Sequence, residues 1–336
     1  MTDGHGDDLH AYKGIRINFS SNVYNHFDHR GLFRHLAERL PHITHYPEPT
    51  PHTLEARLAR HLGLRPEEVV VTNGATEAIY LVAQTFGRAE SHIWGPTFAE
   101  YTDACLLYRH RASVVYTPRP RPPKSGLLWF CNPNNPTGSL LPQTEVEALV
   151  GGHPQTTFVL DASYAAFCPL PQLRAARGVR FPNLLMLHSL TKAYAIPGLR
   201  LGYLTGPAPL LDRIRPQRMP WSVNQLALDA GLYLLDHAAH YTLPLEMLLG
   251  ERERVARELA RLGDIETWPS HTHVLLCRLP QGRAADLKDY LARKHGLLIR
   301  DASNFSGLDA GCFRLAVQAR EENDELLKAI AQWKPS

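Results

Sequence analysis

No run of apolar residues in this 336-residue sequence approaches the roughly 20 needed to cross a bilayer. The first residues, Met1 to Asp8, are polar and acidic, without the apolar stretch of a signal peptide. A membrane protein is not expected, and a cytoplasmic one is. Charge of one sign is scarce: 36 Lys and Arg against 33 Asp and Glu leave a net +3. The 18 histidines are scattered and form no basic stripe, so nucleic acid is not an expected partner. Cysteine is scarce too. Cys105, Cys131, Cys168, Cys277 and Cys312 form no CxxC pair and are expected to be reduced, buried thiols rather than disulfides or zinc ligands. His42, His45 and His52 fit no familiar zinc spacing, and Pro47, Pro49 and Pro51 break any helix that could align them, so no metal site is expected.

What the sequence has is a 44% apolar fraction, enough for a sizeable core, cut into short segments. Glu68–Thr72, Ser91–Trp94, Ala112–Tyr116, Leu127–Cys131, Thr157–Leu160, Leu184–His188 and Leu201–Thr205 read as buried strands, bounded by Gly, Pro or Asn. Helical patterns such as Thr76–Phe86 and Thr144–Val150 lie between them. Strands alternating with helices predict an α/β fold with a mostly parallel sheet covered on both faces, whose ligands sit at the carboxyl ends of the strands. Towards the C-terminus the pattern changes. A charged helix over Tyr241–Leu262, a strand at Val274–Leu279, a helix at Ala284–His295, strands near Leu297–Arg300 and Phe313–Val317, and a helix from Glu321 predict a smaller α+β domain. The expected division gives residues 28–236 to a large domain. It gives 1–27 with 237–336 to a small one that closes over the substrate.

Four loop motifs follow predicted strands. Ser189-Leu190-Thr191-Lys192 is followed by Arg200, eight residues after the lysine. A lysine at a strand end is usually only surface. Flanked by two hydroxyls and a planar cation suited to phosphate oxygens, it is explained by a covalent bond between its amine and a phosphorylated aldehyde. Asp161-Ala162-Ser163-Tyr164 stands at the end of the preceding strand, Thr157–Leu160. Its acid could merely cap the following segment, or could pair with a protonated pyridine nitrogen. Asn132-Pro133-Asn134-Asn135-Pro136-Thr137-Gly138 is far more specific than a turn requires. Thr72-Asn73-Gly74-Ala75-Thr76-Glu77 joins a strand to a helix, where free backbone N–H groups can meet an anion.

Together these motifs resemble the fold-type I, aspartate-aminotransferase-like family of pyridoxal-phosphate (PLP) enzymes, over nearly the whole chain. The resemblance implies that fold, with a seven-stranded sheet, and PLP as cofactor. It implies that Lys192 holds the cofactor, Asp161 meets the pyridine nitrogen, and Asn135 and Tyr164 meet the phenolic oxygen. Gly74, Ala75, Thr76, Ser189, Thr191 and Arg200 would hold the phosphate, and Phe98 would stack on the ring. Tyr46, in His45-Tyr46-Pro47-Glu48-Pro49, resembles the tyrosine that reaches the phosphate of the partner subunit's cofactor, implying a homodimer.

Within the family the chain is similar to the histidinol-phosphate aminotransferase group. In that group its Gly4-His5-Gly6, Asn18-Phe19-Ser20-Ser21-Asn22 and Leu298-Ile299-Arg300-Asp301 resemble the L-threonine-O-3-phosphate decarboxylases, which make the aminopropanol phosphate linker of cobalamin. That likeness implies Arg314 for the substrate carboxylate, and His5, Asn22 and Arg300 for a substrate phosphate, with Asn135 also beside the substrate. Histidinol-phosphate or amino-acid transamination with 2-oxoglutarate is the alternative. A sensor domain of a transcription regulator is the alternative outside enzymes, but no segment of these 336 residues reads as a helix-turn-helix. Two features depart from the group's pattern: Ala162 lacks the acidic character common at that position, and Asp7 and Asp8 follow Gly4-His5-Gly6.

Overall fold

A computed structural model describes residues 7–263 and 265–334. The described chain enters on a short strand, β1 (Ile17–Asn18). The large sheet is then built from β2 (Val69–Thr72), β3 (Glu90–Trp94), β4 (Arg111–Val115), β5 (Gly126–Cys131), β6 (Thr156–Asp161), β7 (Leu184–Ser189) and β8 (Gly202–Thr205). Their order across the sheet is β2-β8-β7-β6-β5-β3-β4. Only β8 runs against the others, pairing antiparallel with both β2 and β7. β2, the first four residues of β7 and the ends of β5 and β6 are buried on both faces, which explains why they read as unbroken apolar runs rather than alternating ones. The helices Gly74–Thr85 and Glu100–Leu107 cover one face, with Ile79, Val82 and Ala104 packed against Val70, Trp129 and Leu187.

Register decides what the carboxyl edge presents. Cys131 lies opposite Asp161. Gly202 pairs with Thr72 on one side and Ser189 on the other. The loops that follow β2, β5, β6 and β7 therefore open onto one place. Gly202 is required there: a Cβ would stand 2.6 Å from the Ala75 backbone nitrogen and 2.8 Å from the His188 carbonyl.

The C-terminal part carries β9 (Glu266–Thr267), β10 (Val274–Arg278), β11 (Leu297–Leu298), β12 (Arg300–Asp301) and β13 (Cys312–Ala316). β12-β13-β10-β9 form an antiparallel sheet, while β1 pairs parallel with β11. The expected single strand over Leu297–Arg300 is thus two strands in two sheets, split at Ile299. The charged helix runs Leu245–Arg261, starting later than its polarity pattern suggested because Pro244 stands at its N-cap. Ile17 and Phe19 pack into the same core as Leu248, Val255, Leu275, Phe313 and Leu326. Phe19 also donates its N–H to Leu298 and accepts one from Ala316. This anchoring carries Ser20, Ser21 and Asn22 towards the carboxyl edge of the large sheet. The five cysteines are buried and unbridged, as expected. No helix among the described residues is long and apolar enough to cross a membrane.

Candidate active site

A cavity of about 360 Å³ opens at the carboxyl edge, between the large sheet, the Ser20–Asn22 segment and β12–β13. Lys192 lines it from the short helix Leu190–Ala193 that follows β7. Its Nζ lies 3.3 Å from the carbonyl oxygen of Ser21. Burial, reinforced by the positive fields of Arg314 and Arg200, pushes its pKa down to about 8. Asp7, which also lines the cavity and accepts hydrogen bonds from Asn18 Nδ2 at 3.1 Å, acts in the opposite direction.

At the end of β6, Asp161 is 4% exposed. Burial raises its pKa, and donors from Ser163 and Tyr101 oppose that rise. The Ser163 N–H donates to Oδ1 at 2.8 Å and the Tyr101 hydroxyl to Oδ2 at 2.6 Å. Three residues on, the Tyr164 phenol is pushed up to about 12 by burial. Its oxygen accepts from Asn22 Nδ2 at 2.9 Å. Asn22 has φ 53°, a left-handed conformation that costs a non-glycine residue roughly 1–3 kcal/mol. That conformation aims its amide at Tyr164. Asn135, from the loop after β5, accepts from Arg314 Nη1, while Arg314 Nη2 donates to the Ser20 carbonyl at 2.5 Å.

The third wall is a polar cradle. Ser189 Oγ and Thr191 Oγ1 are 2.6 Å apart. Arg200, also left-handed at φ 57°, donates Nη1 to the Pro197 carbonyl at 3.0 Å. Its Nη2 lies where a Cβ on Gly74 would be, 2.7 Å away, so the glycine at φ 79° is what lets the guanidinium close over the start of the helix. Ala75 and Thr76, in the first turn of that helix where backbone N–H groups have no intrahelical partner, line the same space.

These groups fit PLP on chemistry alone. An amine of depressed pKa faces the cavity, a buried carboxylate closes one end, and hydroxyls, a guanidinium and a helix N-terminus close another. Phe98 lines the cavity between them. Buried polar atoms remain for a ligand as well: Asn22 Oδ1 and Arg314 Nε have no hydrogen-bond partner among the described residues.

From the C-terminal part, β12 and β13 set Arg300 directly opposite Arg314, so both guanidinia line the cavity from one face of the sheet. Arg300 is 5% and Arg314 3% exposed. Burial lowers both pKa values, that of Arg314 to about 10. Arg300 Nη2 donates to Asn304 Oδ1 at 2.8 Å, and its guanidinium sits 5.6 Å from the Phe305 ring centroid.

Two sequence candidates lie apart. His5 falls outside the described residues. Tyr46 is 85% exposed, away from this chain's own cavity, with its ring 5.4 Å from that of Trp221. Sequence reasoning missed Tyr101, Ser20, Ser21 and Asn304. Ser20, Ser21 and Asn304 lie in stretches that carry the likeness to the decarboxylases but were given no role of their own, and Tyr101 stands in the same stretch as Phe98, just inside the helix that follows it. Among the described residues no group of three or more His, Cys, Asp or Glu side chains gathers as a metal site.

Comparison with known proteins agrees with this geometry. Residues 15–330 match the family described as Aminotransferase class I and II. The structure superposes on that of L-threonine-O-3-phosphate decarboxylase from Porphyromonas gingivalis with a TM-score of 0.91 and 40% identity, covering 94% of this chain and 98% of that one. A threonine-phosphate decarboxylase of Salmonella typhimurium is 31% identical over 94% of this chain and 90% of its own length. A histidinol-phosphate aminotransferase of Caldanaerobacter subterraneus is 28% identical over 87% and 85%. The chain belongs to the class I and II aminotransferase family, with its aspartate-aminotransferase-like α/β fold, and is a PLP-dependent enzyme.

Proposed function

We propose that the chain decarboxylates a phosphorylated amino acid, L-threonine O-3-phosphate being the substrate that fits best, to give aminopropanol phosphate. The observation that carries this reading is the Arg300–Arg314 pair. Like charges directly opposed across two strands are destabilising, and a substrate bearing two anions offsets both. Arg314, held by Asn135 and the Ser20 carbonyl, takes the carboxylate. Arg300, steadied by Asn304, takes the phosphate, with Asn22 and His5 as further donors.

PLP, when bound, supplies the sink for the electron pair left at the substrate Cα. Lys192 holds it covalently, and Ser189, Thr191, Arg200 and the N–H groups of residues 74–76 hold its phosphate. Asp161 would meet its ring nitrogen, Asn135 and Tyr164 its phenolic oxygen, and Phe98 its ring face. The substrate's own amine would displace Lys192 from the cofactor, leaving Nζ a free amine beside Cα that could return a proton there after CO2 leaves. Were a Cα–H bond cleaved instead, the same freed amine would take the proton, the first step of transamination.

The test is product identification by mass after incubating holoenzyme with threonine phosphate, or with histidinol phosphate plus 2-oxoglutarate. CO2 and aminopropanol phosphate are expected from the first. A faster second pair, with no CO2 from threonine phosphate, would leave the phosphate pocket standing and remove the decarboxylase. Plain threonine is expected to react about 10²-fold less efficiently than its phosphate, because truncating one partner of a buried charge pair costs roughly 2–5 kcal/mol. Arg300→Ala should erase most of that preference while still binding PLP. Equal kcat/KM for threonine and threonine phosphate in the wild type would discard the pocket.

The same reading makes the active unit a homodimer. Leu40, Ile43 and Tyr46 in one segment and Met219 and Trp221 in another are exposed, an unusual apolar share for a surface facing only water. In a dimer Tyr46 would serve the partner's phosphate site. Sedimentation should give a dimer. Mixed dimers of Tyr46→Ala and Lys192→Ala chains should regain one intact site that neither parent has. Full activity in a monomeric species would contradict this.

A further inference from the structure

Asp161 can serve a ring nitrogen only while it stays ionised, and burial works against that. The Ser163 N–H on Oδ1 comes from its own loop. The Tyr101 hydroxyl on Oδ2 comes from a different element, the first turn of the helix Glu100–Leu107. Tyr101 is 1% exposed. Its ring stacks on Trp129 at 6.0 Å and 24°, and stands edge-on to Phe98 at 5.9 Å and 87°. The wall behind it is itself pinned. Trp129 Nε1 donates to Ser91 Oγ at 3.3 Å, Ser91 Oγ lies 2.8 Å from His110 Nδ1, and His110 Nε2 lies 2.8 Å from the Ala83 carbonyl. The phenol is thus fixed by packing and cannot swing from the carboxylate without disturbing two rings. Burial, and then the charge of Asp161, hold its pKa well above 10, so the hydroxyl remains a donor. Cys131, which lines the same cavity, is kept neutral by burial and brings no charge to this corner.

Resting on the assignment of Asp161 to the pyridine nitrogen, we propose that Tyr101 is a positioning residue that keeps Asp161 charged and aimed, and so sets how fully that nitrogen is protonated. A hydrogen bond donated to a carboxylate favours its charged form. Without it the carboxylate binds a proton more tightly, and the proton it shares with the ring nitrogen moves towards oxygen. A less protonated ring withdraws electrons from Cα less strongly. Tyr101 reaches the cavity lining, but its hydroxyl is given to Asp161, and its effect passes through that carboxylate.

Tyr101→Phe keeps the ring packed on Trp129 and removes only the donor. The measurement is 15N NMR of wild-type, Tyr101→Phe and Asp161→Asn holoenzymes loaded with PLP labelled at the ring nitrogen, alongside kcat and KM. The Tyr101→Phe signal is expected between that of wild type, in the protonated range, and that of Asp161→Asn. Its kcat should fall roughly tenfold, the low end of what a hydrogen bond to a charged group is worth, with KM changed by less than about twofold. A Tyr101→Phe signal at the wild-type position, with Asp161→Asn shifted, overturns the role of Tyr101 alone. If neither variant moves the signal, the assignment of Asp161 falls, and this inference with it.

Discussion

Replacing Lys192 by alanine is expected to lower turnover by at least ~10⁴-fold, since it removes both the covalent anchor of the cofactor and the proton carrier beside Cα; a positioned acid–base group alone is worth about 10²–10⁴. Borohydride should fix PLP to the wild-type chain at one peptide, that containing Lys192, and to none in the variant. A reduced adduct on another lysine would refute the assignment. The amine also predicts a pH dependence. Only its neutral form attacks an aldehyde, and its pKa is pushed down to about 8, chiefly by burial. The rate of PLP capture by apoenzyme should therefore climb about tenfold per pH unit below 8 and level off above it. An exposed lysine, with a pKa of about 10.4, would still be climbing at pH 10. A rate that keeps rising between pH 9 and 10 would mean that this amine is not desolvated in solution.

The parts of this site that were legible in the sequence share one property. Each is a short loop after one strand, and loop chemistry is written locally: Asn132 to Gly138, Asp161 to Tyr164, Ser189 to Lys192. The apolar strands before them fixed where each loop starts, and the α/β alternation fixed that they share an edge. What local chemistry alone could not give, and the family likeness supplied for Arg300, Arg314 and Asn22, depends on register between distant segments. Arg300 and Arg314 are 14 residues apart in sequence and become neighbours only because β12 pairs with β13 in that register. The approach of Asn22 to Tyr164 needs β1 docked on β11 and a left-handed backbone at Asn22, and neither leaves a mark in composition. The split of Leu297–Arg300 into two sheets was hidden for a similar reason. Its residues suit a single strand, and it is the partners, Ile17–Asn18 for one half and β13 for the other, that divide it. Tyr101 was overlooked because a buried tyrosine on an apolar helix face reads as core, which most are; only its 2.6 Å bond to Asp161 marks it.

Asp161→Ala is expected to retain PLP and to lose most of its turnover, by about 10²–10³-fold. That is the usual loss when one preorganised electrostatic stabiliser, worth roughly 3–4 kcal/mol, is removed from a buried site. The two effects separate because the anchoring groups are elsewhere. Lys192 stands on the short helix after β7, and the proposed phosphate cradle is Ser189, Thr191, Arg200 and the residues at 74–76, on segments other than the loop of Asp161. Borohydride should therefore still attach the cofactor to the variant. What the variant lacks is the charge that holds a proton on the ring nitrogen, and without that charge the electron pair left at Cα is poorly accommodated whichever bond is broken. The loss should appear in decarboxylation and transamination alike, and in kcat more than in KM, because the residues proposed to hold the substrate's anions, Arg300 and Arg314, are other residues of the cavity lining. Alanine also leaves the Tyr101 hydroxyl and the Ser163 N–H without their acceptor, so part of any fall in stability belongs to those orphaned donors. Asp161→Asn separates the two contributions. Its amide oxygen can still accept one of those bonds but carries no charge, so it should recover stability and not turnover. Near-normal turnover in either variant would remove Asp161 from the chemistry.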